Sequence, residues 1–373
     1  MRQIIRNTVF ALSTLVLAPA GALAQQDQSA TEQTGSQQVQ VAFVLDTTGS
    51  MADLIEGAKQ KIWSIANTIL DVNPDADISM ALIGYRDRGD EYVVKPHPLT
   101  RDVQGLYSKL RRFNADGGGD TPESVNEALD AAVRGQDWAE GDHVRRIIFL
   151  VGDAPPHMDY ANAPRYAEVI AAARDKGIIV NTIQAGSDPE TREYWQEMAR
   201  LGGGRYHPIP QDGGQVVQIQ TPYDDQINQI QLRIDATVVP YGSSAKQSEL
   251  EDKIAERAEA PASVRADNSS FYAKKTGREV VTGGGDLVAA IDNGSITLDG
   301  VAEAELPPAL RGMSTEERAA HLQQKLEERR ELETELAGLV DKRDTFIAEQ
   351  GADADDQSSF DKSVRVLLKE QLN

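Results

Sequence analysis

Residues 39–50 read VQVAFVLDTTGS, and the fold follows from how that stretch changes character. Val39 to Leu45 is almost continuously apolar, the pattern of a strand covered on both faces. A sheet with one face in water would alternate instead. At Asp46-Thr47-Thr48-Gly49-Ser50 the chain turns polar, as a loop leaving the end of a buried strand does. Further on, Leu54, Ile55, Ala58, Ile62, Ile65, Ala66 and Ile69 fall on one helical face. A buried strand followed by an amphipathic helix is the repeating unit of a parallel sheet.

The unit recurs as far as Gly242. Strands are predicted at Ile78–Tyr85, Arg146–Val151 and Ile178–Ala185, and Arg205 to His207 begins a last edge strand. Helices are predicted around 103–113, 123–133, 166–176 and 192–201, with a final one from Tyr223 to about Ala236. A short strand at Tyr92–Lys95 lies too close to Tyr85 for a parallel crossover, so that pair should be an antiparallel hairpin. Residues 39–242 therefore read as one α/β domain, a doubly wound, mostly parallel sheet with one antiparallel edge hairpin.

Beyond Gly242 the composition shifts to Ala, Glu, Asp and Gly, and the chain becomes mainly helical. Residues 243–313 read as short helices and loops, one helix opening at Asp286 and stopped by Gly294. A long helix starts behind Ser314, where Ser314 and Glu317 form a capping box, and residues 314–373 are this helix and a tail. Leu322, Leu326, Leu332, Leu336, Leu339 and Ile347 recur at roughly coiled-coil spacing, but Arg329 and Arg343 interrupt the stripe. The expectation is a monomer with this helix packed on its own chain, a dimer through residues 314–347 being the alternative.

Residues 1–24 have the pattern of a secretory signal: Arg2 and Arg6, an apolar run from Val9 to Leu17, and Ala22-Leu23-Ala24 as a cleavage site. Residues 25–38, rich in Gln, Ser and Thr, read as a flexible start of the mature chain. Export to a periplasm or the cell exterior is the expectation. The 373 residues include no cysteine, so disulfides do not hold the core. A net charge of −21 repels phosphate backbones and anionic lipid, which argues against nucleic acid or direct membrane binding.

Three polar segments carry the chemistry: Asp46-Thr47-Thr48-Gly49-Ser50, Gly117-Gly118-Gly119-Asp120-Thr121-Pro122-Glu123 and Gly152-Asp153-Ala154-Pro155-Pro156. The first and third leave the carboxyl ends of strands, where open α/β sheets bind their ligands. Asp46, Thr48 and Ser50 stand at alternate positions in a tight turn, Thr121 adds a hydroxyl and Asp153 a second carboxylate. Oxygen donors without His or Cys suit a hard cation, Mg²⁺ or Mn²⁺, and not zinc.

This pattern resembles the metal-ion-dependent adhesion site of von Willebrand factor type A domains, D-x-[ST]-x-S followed by a distant Thr and a distant Asp. The resemblance covers roughly Val39 to Gly242. It implies direct metal binding by Ser50, Thr48 and Thr121, and direct or water-mediated binding by Asp46 and Asp153. It also implies an open position completed by an acidic side chain of a partner protein or peptide. The stretch LPPALRGMSTEERAAHLQQKLEERRE, residues 306–331, is similar to C-terminal extensions of bacterial proteins of this family.

Other readings are weaker on the residues themselves. Arg88-Gly89-Asp90 sits in the predicted hairpin, where Gly and Asp are ordinary turn residues. His157 is expected to face solvent. No G-K-[ST] follows the glycine run, so no nucleotide loop is present. Metal-assisted hydrolysis would need Asp120, Glu123 or His157 as a general base. A structural role would use the C-terminal helix for assembly. Binding, not catalysis, is the expected function.

Overall fold

The computed structural model describes residues 37–119, 121–214, 219–274, 284–351 and 359–372. The leader expected over 1–24 and most of the stretch 25–38 lie outside them. Six strands form one sheet: β1 (Gln38–Asp46), β2 (Asp77–Tyr85), β3 (Val94–Thr100), β4 (Val144–Gly152), β5 (Ile178–Ala185) and β6 (Gly203–Ile209). Their spatial order is β3-β2-β1-β4-β5-β6. All neighbours are parallel except β2 and β3, which form the expected antiparallel pair. From β1 the chain winds outward to β2 and β3, then returns to β4 on the other side. The winding direction therefore reverses between β1 and β4, the place at which open α/β sheets bind their ligands.

Successive β1 residues supply opposite faces of the sheet. Val41, Phe43 and Leu45 share a core with α1 (Ala52–Val72), α2 (Val103–Arg111) and α6 (Asp224–Asp235). Ala42 and Val44 share one with α3 (Val125–Val133), α4 (Tyr166–Asp175) and α5 (Pro189–Leu201). Phe43 and Phe149 stack across the β1–β4 seam with ring centroids 5.4 Å apart. This double cover is why both strands read as unbroken apolar runs. By contrast β3 is longer than expected and begins at Val94, not Tyr92. It is a half-buried edge strand, and Pro96 and Pro98, tolerated at an edge, hide it from an apolar pattern.

Past Gly242 come α7 (Ser244–Glu259), α8 (Ala262–Ala273), α9 (Leu287–Asp292), α10 (Pro308–Arg311), α11 (Thr315–Gly351) and α12 (Phe360–Leu372). The capping box opens α11 as read: Ser314 N–H donates to Glu317 Oε2 at 2.8 Å and Glu317 N–H to Ser314 Oγ at 3.2 Å. Asp286 caps α9 by accepting from Val288 N–H. These helices extend the core of the sheet. Trp63 of α1 lies against Phe271 of α8, ring centroids 5.5 Å apart, and Phe360, Val364, Leu367 and Leu368 of α12 join the same cluster. The α11 stripe divides: Leu332, Leu336 and Val340 enter that core, while Leu322 and Leu326 close a smaller one with Leu287, Leu306 and Leu310.

The two arginines that interrupt the stripe are themselves buried. Arg329 pairs with Asp286 at 2.5 Å and donates to Thr237 Oγ1 at 2.7 Å. Arg343 reaches Asp224 of α6 at 2.9 Å and Asp267 of α8 at 2.6 Å. Each charge is thus matched within its own chain, as a buried cation requires.

Candidate metal centre

The first motif turns as β1 ends. Asp46 is fully buried, and its Oδ1 accepts from the Thr48 N–H at 2.9 Å and the Thr48 hydroxyl at 2.6 Å. Thr48 Oγ1 lies 3.3 Å from Ser50 Oγ. Three side-chain oxygens thus stand in a connected row, and Ser50, the outermost, is exposed.

Asp153 stands at the end of β4, beside β1, so the two carboxylates meet across the point where the sheet reverses. Burial, then the charge of Asp153, raise the pKa of Asp46 to about 7 against the hydrogen bonds from Thr48. Its Oδ2 is buried without a hydrogen-bond partner among the described residues. Tyr85, at the end of β2, has its phenol pushed well above the usual range by burial and then by Asp46, Asp153 and Glu123.

The glycine loop closes over this pair. Asp116 N–H donates to Thr47 O at 3.1 Å and Gly49 N–H to Gly117 O at 3.2 Å. A side chain at Gly118 would come within 2.8 Å of Thr48 Cβ and 3.1 Å of Glu123 Oε1, so glycine is required for this approach. Glu123 N–H donates to Pro155 O at 2.9 Å and Glu123 O accepts from His157 N–H at 3.0 Å, which seams the loop to the one following β4. Thr121 lies between these anchors and is exposed, with no hydrogen bond to the other four residues among the described ones. The structure therefore joins Asp46, Thr48 and Ser50 directly, sets Asp153 against Asp46, and brings Thr121 to the same edge on its loop.

Glu123 is buried, and its pKa is raised to about 9 by burial and then by Asp46, Asp87, Asp90 and Asp153. Behind it, Asp87 accepts from the Ser124 hydroxyl and the Tyr160 phenol, both at 2.9 Å. His157 departs from expectation. It is 4% exposed, stacked on Tyr160, with Nδ1 2.7 Å from Asp159 Oδ1 and Nε2 3.4 Å from Asp87 Oδ2. Tyr160 covers one face of the ring, Asp159 takes Nδ1, and the Asp87 carboxylate lies near Nε2 without a hydrogen bond to it. The Asp of the Arg-Gly-Asp sequence also turns inward, accepting from Asp87 N–H and Gly118 N–H at 3.1 Å each, and Arg88 pairs with Glu127.

Sequence reasoning missed one contact at the centre. Gln211, just after β6, donates its amide N–H to Asp153 Oδ2 at 2.5 Å. No motif marks it, because the contact exists only through strand order.

The donor set fits a hard divalent cation. An orphaned buried carboxylate oxygen, a second carboxylate that repels it and two hydroxyls in line give anionic and neutral oxygens without nitrogen or sulfur.

Residues 40–221 match the von Willebrand factor A domain family. The chain carries a von Willebrand factor A domain. Among curated relatives, von Willebrand factor A domain-containing protein 7 of Rattus norvegicus is 36% identical over 93 residues, 25% of this chain and 10% of that protein. An ariadne-like RING finger protein of Acanthamoeba polyphaga mimivirus is 29% identical over 123 residues, 32% of this chain and 11% of that protein. The chain thus spans about a tenth of the length of the curated relatives it matches. Among solved structures, the SpRpn10 VWA domain aligns at 15% identity and TM-score 0.37, covering 52% of this chain and 95% of that one. Proximal thread matrix protein 1 of the mussel byssus aligns at 14% identity and TM-score 0.36, covering 48% of this chain and 43% of that one.

Proposed function

We propose that this von Willebrand factor A domain is a divalent-metal-dependent protein-binding module that works outside the cytoplasm. One observation carries the reading: two repelling carboxylates and a row of hydroxyls converge where the sheet reverses its winding. Asp46, Thr48, Ser50, Thr121 and Asp153 would hold Mg²⁺ or Mn²⁺. The cation would supply residual positive charge, because two of its donors are neutral hydroxyls on the exposed side. An Asp or Glu of a partner protein or peptide is the chemistry that charge attracts. The leader-like residues 1–24 support an extracytoplasmic setting.

A binding role is favoured over metal-assisted hydrolysis by the two candidate bases among the described residues, Glu123 and His157, Asp120 lying outside them. His157 is buried, stacked on Tyr160 and paired with Asp159 through Nδ1, and Glu123 is buried beneath the glycine loop. An assembly role for α11 loses most of its stripe, since Leu322, Leu326, Leu332 and Leu336 are buried within the chain.

Titration calorimetry with Mn²⁺ tests the reading, followed by capture of an immobilised Asp-containing peptide library with and without chelator. Stoichiometric uptake that is lost in Asp46→Ala, and peptide capture that needs the metal, are expected. Absence of uptake by the unaltered chain, or capture indifferent to chelator, would overturn it.

A further inference from the structure

The edge of the sheet that carries the candidate metal centre is also rimmed with acid. Asp53 lies in the first turn of α1, Asp116 at the start of the glycine loop, Asp159 after β4, Asp188 at the cap of α5 and Asp212 after β6, and each is exposed. Hydrogen bonds and packing hold them close to the centre. Asp212 sits between Gln211, whose amide donates to Asp153 Oδ2, and Gly213, on which Leu54 packs beside Asp53. Asp116 N–H donates to Thr47 O at 3.1 Å. Thr191 Oγ1 lies 2.7 Å from Asp188 Oδ2 and 3.2 Å from Asp153 O.

These charges are not cancelled by the chain itself. Among the described residues Asp53, Asp116, Asp188 and Asp212 form no ion pair, and the last three accept from backbone donors of their own loops. Arg88, the exposed cation of the strand-end loops, is paired with Glu127, and Arg192 in the first turn of α5 stands between Glu190 and Glu193 along the chain. Elsewhere exposed carboxylates such as Glu370 and Asp292 have arginines against them. Within the rim the fully buried Asp46 leaves Oδ2 without a partner, which marks a ligand position and not a merely solvated acidic surface.

We propose that the partner presents its metal-binding Asp or Glu inside a basic stretch, with Lys or Arg on either side of it, and that the acidic rim selects that stretch. The inference rests on reading the centre as a cation site that takes a partner carboxylate. A divalent cation is neutralised by Asp46 and Asp153, so the coordinate bond attracts one carboxylate while the rim stays negative. At a screening length of about 10 Å in 0.1 M salt, rim charges still reach residues next to a bound carboxylate. Acidic flanks would meet like charge there, whereas basic flanks gain attraction and a faster encounter.

The test uses the full chain with Mn²⁺ and three peptides of one length, each with a central Asp flanked by lysines, by serines or by glutamates. Fluorescence anisotropy gives the affinities. At about 50 mM salt the lysine-flanked peptide should bind at least about tenfold more tightly than the serine-flanked one, with the glutamate-flanked one weakest. The margin should shrink at about 500 mM salt. In the triple variant Asp53→Asn, Asp188→Asn, Asp212→Asn it should fall to about twofold or less, and asparagine keeps the side-chain acceptors that cap α5 and the turn at Gly214. Equal binding of lysine- and serine-flanked peptides, or a margin that survives in the triple variant, overturns the inference and leaves the metal-dependent reading standing. Lysine-flanked binding that persists with chelator, or with Asn at the centre, is charge attraction alone and overturns it too. If the chain takes up no Mn²⁺, or if no central-Asp peptide binds the loaded chain, the binding reading fails and this inference with it.

Discussion

Replacing Arg343 by methionine keeps the length of the side chain and removes its charge from a buried place. The guanidinium donates to Asp224 Oδ1 at 2.9 Å, Asp267 Oδ1 at 2.6 Å and Ser270 Oγ at 3.3 Å, so one side chain fastens α11 to both α6 and α8. After the substitution Asp224 keeps the Thr221 N–H and hydroxyl as donors, while Asp267 loses its paired guanidinium and keeps only the more distant charge of Lys61. Breaking a buried ion pair from one side costs about 3–5 kcal/mol. Unfolding entropy of about 2.1 cal/mol/K per residue, over roughly 340 residues, is about 0.7 kcal/mol/K, so the midpoint should fall by about 4–7 °C. Calorimetric melting measures this, with Arg205→Met as the control, since the Arg205–Glu370 pair lies in solvent and its loss should leave the midpoint where it was. The double variant Arg343→Met with Asp267→Asn should recover part of the loss, because the stranded carboxylate is gone. A drop no larger than the control's would refute the view that this arginine anchors the extension.

Metal-free stability should depend on pH through Asp46 and Glu123, whose folded pKa values lie near 7 and 9, above the ordinary 3.8 and 4.5. Raised carboxyls contribute stability that is full below the unfolded values and is lost as pH rises through the folded ones. Urea midpoints should therefore decline from about pH 4 towards pH 9, and a rise over that window would contradict the assigned burial. Thr48→Val removes the hydroxyl between Asp46 and Ser50 but keeps the shape; Mn²⁺ affinity should fall at least about tenfold, and calorimetry showing no change would remove Thr48 from the centre. A chain ending at Gly242 would leave Trp63 without Phe271 and α1 without α12. It should bind a hydrophobic dye and melt without cooperativity, whereas a sharp, dye-free transition would show that the sheet closes its own core.

What was legible in the sequence depended on how local its cause was. β1 and β4 announced themselves because helices cover both faces, and the Ser314–Glu317 cap because it spans four consecutive residues. Asp46, Thr48 and Ser50 were readable for the same reason. β3 was blurred by two prolines that an edge position tolerates. His157 was misjudged because Asp87, which faces it, is far away in sequence. Gln211 could not be seen, since its meeting with Asp153 requires β4, β5 and β6 to lie side by side. Arg329 and Arg343 looked like flaws in a stripe, and they are its fasteners to other helices.

The packing of α12 on α1 also sets a timetable. The first turns of α1 leave the ribosome roughly 300 residues before the helix that packs on α1, and at 5–20 residues per second that is about 15–60 s. Such long-range closure is slow by nature, because the ends of a large loop must find each other before any contact forms. Throughout that interval the nascent chain presents an uncovered apolar helix face, so it should engage holding chaperones until α12 has been made.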